Sequence, residues 1–120
     1  MNKAINKAEI NQWLHRFDKK KPLYEVDVKI MLDPYIYNET VDEFIKYAYE
    51  NNWVSTDYQL ISDEWNKATD KIAFIKQLNL EDILRLIAWH IRGERFCSGL
   101  LANAFDKEYI QTALERLQKI

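Results

Sequence analysis

Glycine and proline are nearly missing from this chain, with two of each in 120 residues. That scarcity excludes collagen-like, linker-rich and turn-dense all-β architectures, which need both residues at their turns. One cysteine, Cys97, excludes an internal disulfide. His15 and His90 lie far apart and, with that single thiol, offer no metal-ligand spacing. Gly93 and Gly99 are the only glycines, so there is no P-loop and no dinucleotide fingerprint, and no cofactor is expected. No uncharged apolar run reaches the ~18 residues of a membrane span. Lys3 and Lys7 interrupt Met1–Glu9, which therefore does not read as a signal peptide, and a cytoplasmic protein is expected.

Charge of one sign is also lacking overall, since 17 Lys and Arg face 19 Asp and Glu for a net of −2. No global field holds such a protein to nucleic acid or to an anionic membrane, so both are disfavoured as partners. The distribution is uneven: residues 1–29 and 83–120 are net basic, whereas residues 30–82 hold eleven acids against four bases.

What is present is apolar and aromatic: 48% apolar residues, with four Trp, seven Tyr and five Phe, enough for a core without a staple of disulfide or metal. Asn6 with Glu9 is a variant capping box. Ile10, Trp13, Leu14 and Phe17 then form a helical stripe that should end near Asp18, where Lys19–Lys21 suit the negative helix end and Pro22 stops it. Thr40 with Glu43 reads as a second capping box, followed by the stripe Val41, Phe44, Ile45 and Ala48 and a stop at Asn51-Asn52. From Asp57, the spacing of Ile61, Trp65, Ala68, Ile72 and Ile75 fits one bent helix or two short ones.

Asn79 caps the next helix, which is apolar nearly all round through Ile91 and so belongs at the centre of the fold. Leu100–Phe105 predicts a short helix, and Asp106 is read as the cap of a last one with the face Ile110, Ala113, Leu114 and Leu117. Between the first two helices, Val26, Val28, Ile30 and Leu32 alternate with Asp27, Lys29 and Met31 in the two-residue period of a strand. Tyr35–Tyr37 and Trp53–Val54 are the other β-like fragments, so a two-stranded ribbon is one expectation and a segment lying extended over the helices the other. The expected fold is a mainly α, compact single domain over 1–120, with five or six helices, a central apolar helix and a small β element within residues 24–37.

Chemistry-bearing residues concentrate between His90 and Cys97. Arg92 and Arg95 are helical neighbours that repel unless an anion lies between them, and Glu94 or a partner could supply it. Two readings stand. In one, His90, Arg92, Glu94 and Arg95 form a hydrogen-bonded structural network at the bend between two core helices; in the other they hold an anion. Cys97 would need a base or a positive field to act as a nucleophile, and the nearby Arg92 and Arg95 could supply the field. His90, seven residues back, is about 10 Å away along a continuous helix. Between Phe96 and Leu100, the thiol reads instead as a small core hydrophobe.

The segment Arg92-Gly93-Glu94-Arg95-Phe96-Cys97-Ser98-Gly99-Leu100-Leu101-Ala102 resembles the C-terminal signature of an uncharacterised family of small bacterial and phage-associated proteins. Its pattern is Arg-Gly/Ala-Glu/Asp-Arg-Phe-Cys-x-Gly followed by a helix with Leu-x-x-Leu-like spacing. The resemblance extends over residues 39–118 through Phe44-Ile45 and Tyr49–Trp53. It implies no activity and no catalytic residues. The family's setting points, by analogy, to a regulatory or counter-defence role in a bacterium or mobile element.

A second feature is the run Tyr35, Tyr37, Tyr47, Tyr49, Trp53 and Tyr58 among acids, residue types enriched at protein interfaces. A non-catalytic interaction domain whose partner is another protein, a second copy included, is the expected function. The rival is an anion- or nucleotide-binding or enzymatic domain centred on His90–Cys97.

Overall fold

A computed structural model of the chain describes residues 5–18 and 22–120; the Lys19–Lys21 run lies outside the described residues. It is a mainly α domain: α1 Lys7–Arg16, strands β1 Tyr24–Val26 and β2 Tyr35–Tyr37, α2 Glu39–Glu50, a 3-10 turn Tyr58–Ile61, α3 Ser62–Lys67, α4 Lys71–Lys76, α5 Leu80–Gly93, α6 Leu100–Asp106 and α7 Tyr109–Lys119. Seven helices among the described residues exceed the five or six expected, because the segment after Asp57 is divided at residues 68–70 into two helices. Ala68 is extended and Asp70 caps α4 through the Ala73 N–H, so the segment forms two short helices, α3 and α4, preceded by the 3-10 turn, the second of the two forms its spacing allowed.

Asn6 and Asn79 cap α1 and α5 as their spacing predicts, each side chain accepting the N–H three residues on. Two other caps differ from the sequence reading. Asn38, in extended backbone, caps α2 by accepting the Val41 N–H at 3.1 Å. Thr40 and Glu43 thus fall inside the helix, where both accept from Arg16 of α1. Glu108 (φ 63°), not Asp106, precedes α7; Asp106 ends α6 and accepts the Tyr24 hydroxyl at 2.6 Å.

The centre of the fold is α5, which packs against the 3-10 turn, α6 and α7, while α7 also covers α1 and α4. Ile83, Leu84, Ile87 and Ala88 are fully buried. Two aromatic clusters flank this helix. Trp13, Phe17, Phe44, Tyr47, Trp53 and Phe105 join α1, α2 and α6 through ring contacts of 4.9–6.3 Å. Trp65, Trp89, His90 and Tyr109 form the other. Such edge-on packing of large apolar rings is what lets a chain of this length bury a core without cross-links.

The β element is a two-stranded antiparallel ribbon with Tyr24 opposite Tyr37 and Val26 opposite Tyr35. It stops well short of the alternating run read from the sequence. The Asp27 N–H donates to Pro34 O at 2.8 Å and closes the ribbon; the Asp27 carboxylate and carbonyl then accept the N–H groups of Lys29 and Ile30. This side-chain turn competes with strand pairing, so residues 27–34 form a loop. Val28, Met31 and Leu32 stand 85–93% exposed on it.

Candidate functional site

The segment between α5 and α6 is a tight double turn. Phe96 and Cys97 both donate their N–H groups to Gly93 O, Leu100 donates to Cys97 O, and Gly99 adopts φ 88°. Both glycines sit where another chain segment approaches closely. A Cβ at Gly93 would lie 2.5 Å from Leu100 Cδ2, and one at Gly99 would lie 2.5 Å from the Tyr35 ring. Hydrogen takes the place of a side chain at both contacts, and Gly99 also needs its left-handed backbone.

Glu94 is the hub of this turn, though not as an ion-pair partner. Its Oε1 accepts the Tyr37 hydroxyl at 2.8 Å and the Leu101 N–H at 2.7 Å, and its Oε2 accepts the Gly99 N–H at 2.9 Å. The carboxylate thereby satisfies N–H groups at the start of α6 that have no partner within the helix. Burial, then the bond to Glu94, push the Tyr37 phenol well above its ordinary range.

The expected network of His90, Arg92, Glu94 and Arg95 is therefore not formed. Arg95 is exposed, and neither it nor Arg92 meets a carboxylate among the described residues. Arg92 holds its guanidinium over the Tyr58 ring, 5.6 Å from the centroid, and its Nε is buried without an acceptor. The reason is geometric: α5 ends at Gly93, and the next residues turn Glu94 toward α6 and β2 while Arg95 faces solvent. His90 points into the core, with Nδ1 against Leu86 O at 2.9 Å and its ring edge-on to Trp65 and Trp89. Burial lowers its pKa to about 4, outweighing the Leu86 carbonyl that favours the protonated ring.

Cys97 is exposed, which corrects its reading as a core hydrophobe. The turn that follows α5 projects residues 95–98 outward, and Phe96 beside it is 85% exposed. His90 and Cys97 thus occupy different environments, one enclosed by aromatic rings and one in solvent.

The tyrosine-rich set divides as well. Trp53 is fully buried and belongs to the core. Tyr47 packs on Trp13 and Trp53 and donates to Glu9 at 3.0 Å; burial, then that bond, raise its pKa. Tyr35 lies against Gly99 and Tyr37 is bound to Glu94. Tyr49 stands on the surface, and Tyr58 lines a groove.

That groove, about 620 Å³, runs between the 3-10 turn with α3 on one side and α5 with the α5–α6 turn on the other. Tyr58, Trp89, Phe96 and Leu100 make its apolar walls, and Cys97 stands on it. Trp89 Nε1 donates to Ser62 Oγ at 3.3 Å across its floor. The hairpin loop is tied to the same α5–α6 turn: Ser98 Oγ donates to Asp33 at 2.7 Å, which joins the end of the loop to the turn that carries Phe96. The sequence reading missed this apolar surface because it assigned Val28–Leu32 to a strand and Phe96 to a core bend.

A second hollow of about 500 Å³ opens between Phe17, Leu23, Tyr24, Phe105 and Gln111. Gln111 donates Nε2 to Phe105 O, while its buried Oε1 has no partner. No helix among the described residues is long and apolar enough to cross a membrane. No curated protein and no solved structure matches the chain. A family model does match residues 4–120, nearly the whole length, and the chain belongs to that family, a family of unknown function (DUF6508).

Proposed function

We propose that this protein is a non-catalytic interaction domain that docks to protein through the face made by the hairpin loop and the α5–α6 turn. One observation carries the reading: Val28, Met31, Leu32 and Phe96, each at least 85% exposed, project from two segments joined by the Asp33–Ser98 hydrogen bond. Apolar side chains gathered in this way are costly to leave in water and mark contact surfaces on soluble proteins. The tyrosines invoked from the sequence serve mostly inside the fold, so the interface moves from them to this face.

The lone cysteine supports a cytoplasmic location. The likeness of Arg92–Gly99 to small bacterial and phage-associated proteins supports a regulatory or counter-defence setting. The rival reading, an anion- or nucleotide-binding or enzymatic site at His90–Cys97, loses support because His90 is enclosed and Glu94 is committed to α6.

A photo-crosslinking residue in place of Leu32 or Phe96, introduced into the full chain in living cells, tests the docking face. Discrete protein adducts from these two positions, absent when the same residue replaces the exposed Lys119, are expected. Adducts no stronger than those of the Lys119 control would overturn the reading.

A further inference from the structure

We infer that the occupant of this face is a second copy of the same chain, the hairpin loop of each copy lying in the groove of the other across a two-fold axis. The inference rests on the docking reading above and adds the partner to it.

The hairpin loop and the groove adjoin the same turn, to which the ribbon is tied by the Asp33–Ser98 bond and by Tyr35 against Gly99. A two-fold rotation exchanges neighbouring features of one face, so a loop beside a groove meets a groove beside a loop, and both contacts form at once. The apolar chemistry agrees. Val28, Ile30, Met31 and Leu32 offer aliphatic side chains, one of them an adaptable methionine, to walls of Tyr58, Trp89, Phe96 and Leu100.

Charge agrees too. The loop, residues 27–34, carries Asp27 and Asp33 against Lys29, a net of −1. Arg92 holds its guanidinium over Tyr58 of the groove wall and Arg95 stands exposed on the turn after α5, neither held by a carboxylate among the described residues. A loop of net negative charge brought against two unpaired guanidinium groups supplies the acceptors they lack within one copy. The same loop on its own copy is anchored to Ser98 and leaves them unpaired.

Sedimentation equilibrium of the purified full chain tests the inference, using wild type, Leu32→Lys and Phe96→Asp. Both substituted side chains are exposed, so circular dichroism of the variants should match wild type. Wild type should rise from 14.4 kDa toward twice that mass as concentration increases to about 500 μM, and each variant alone should weaken the association at least about tenfold. An equimolar mixture of the two variants should associate more tightly than either alone. In the mixed dimer one intact loop meets one intact groove, and the altered pair sets Lys against Asp. A wild-type monomer throughout the range, a dimer indifferent to both substitutions, or no recovery on mixing would each overturn the inference. A monomer that still gives position-specific crosslinks to other proteins removes the second copy as occupant and leaves the docking reading standing. A monomer without such crosslinks removes both.

Discussion

Tyr37 of β2 and Glu94 at the end of α5 are joined by a 2.8 Å hydrogen bond, and the same phenol oxygen accepts the Ala102 N–H at 3.0 Å. One side chain thus links the ribbon to the end of one helix and the start of the next. The carboxylate holds two further N–H groups at that start. An acid that sequence spacing offers as an arginine partner is instead an anchor for backbone and phenol.

Removing either end of this link should therefore cost stability. Tyr37→Phe is expected to lower it by about 1–2 kcal/mol, and Glu94→Ala, which strands three donors, by about 2–4 kcal/mol. The double variant should lose less than the two losses combined, a coupling of about 1 kcal/mol or more. Chemical denaturation of the three proteins reads all of this, and strict additivity would show that the two groups act independently.

Arg95→Ala should be nearly silent. Its side chain is exposed and meets no carboxylate among the described residues, so a change within about 0.5 kcal/mol of wild type is expected. A loss of about 3–5 kcal/mol, the signature of a broken buried pair, would contradict the geometry of the α5–α6 turn.

Cys97 should react in the native state. An exposed thiol is expected to take up one equivalent of an aromatic disulfide reagent in buffer, at a rate within about tenfold of the denatured chain. Cys97→Ser should change stability by no more than about 0.5 kcal/mol. Labelling that waits for denaturant would place the thiol inside after all.

His90 gives the fold a dependence on acid. Its folded pKa, about 4, lies below the ordinary value of 6.5, so the unfolded chain binds the proton more readily. The stabilising contribution is complete above pH 6.5 and is lost as pH falls toward 4, by about 2 kcal/mol between pH 7.5 and 5. His90→Phe, which keeps an aromatic ring against Trp65 and Trp89, should flatten that part of the profile measured by urea denaturation. An unchanged slope would assign the acid sensitivity to other groups.

Helix content, the central place of α5, and the Asn6 and Asn79 caps of α1 and α5 were legible because periodicity and capping are local properties of the chain. The Asn38 cap was missed in favour of Thr40 because both lie within reach of the helix start, and only the extended backbone at Asn38 distinguishes them. The loop at 27–34 was hidden by a real two-residue alternation that the Asp27 side chain overrides. The site suffered most. Whether Glu94 faces an arginine or the start of α6, and whether Cys97 faces in or out, depends on the direction of a turn after Gly93, which spacing along a helix does not contain. The apolar face was illegible for the same reason, since its two halves are far apart in sequence and meet through Asp33 and Ser98.

The ribbon has strands of three residues, too short to persist alone. Its ties run from Asp33 to Ser98, from Tyr35 to Gly99, from Tyr37 to Glu94 and from Tyr24 to Asp106, all within residues 94–106. Neither the ribbon nor that turn can open without stripping the other of partners. Their amide hydrogens should consequently exchange with solvent as one cooperative group, at a single free energy below that of global unfolding. A ligand that seats on the hairpin loop would then slow exchange in the turn at the end of α5 without touching it.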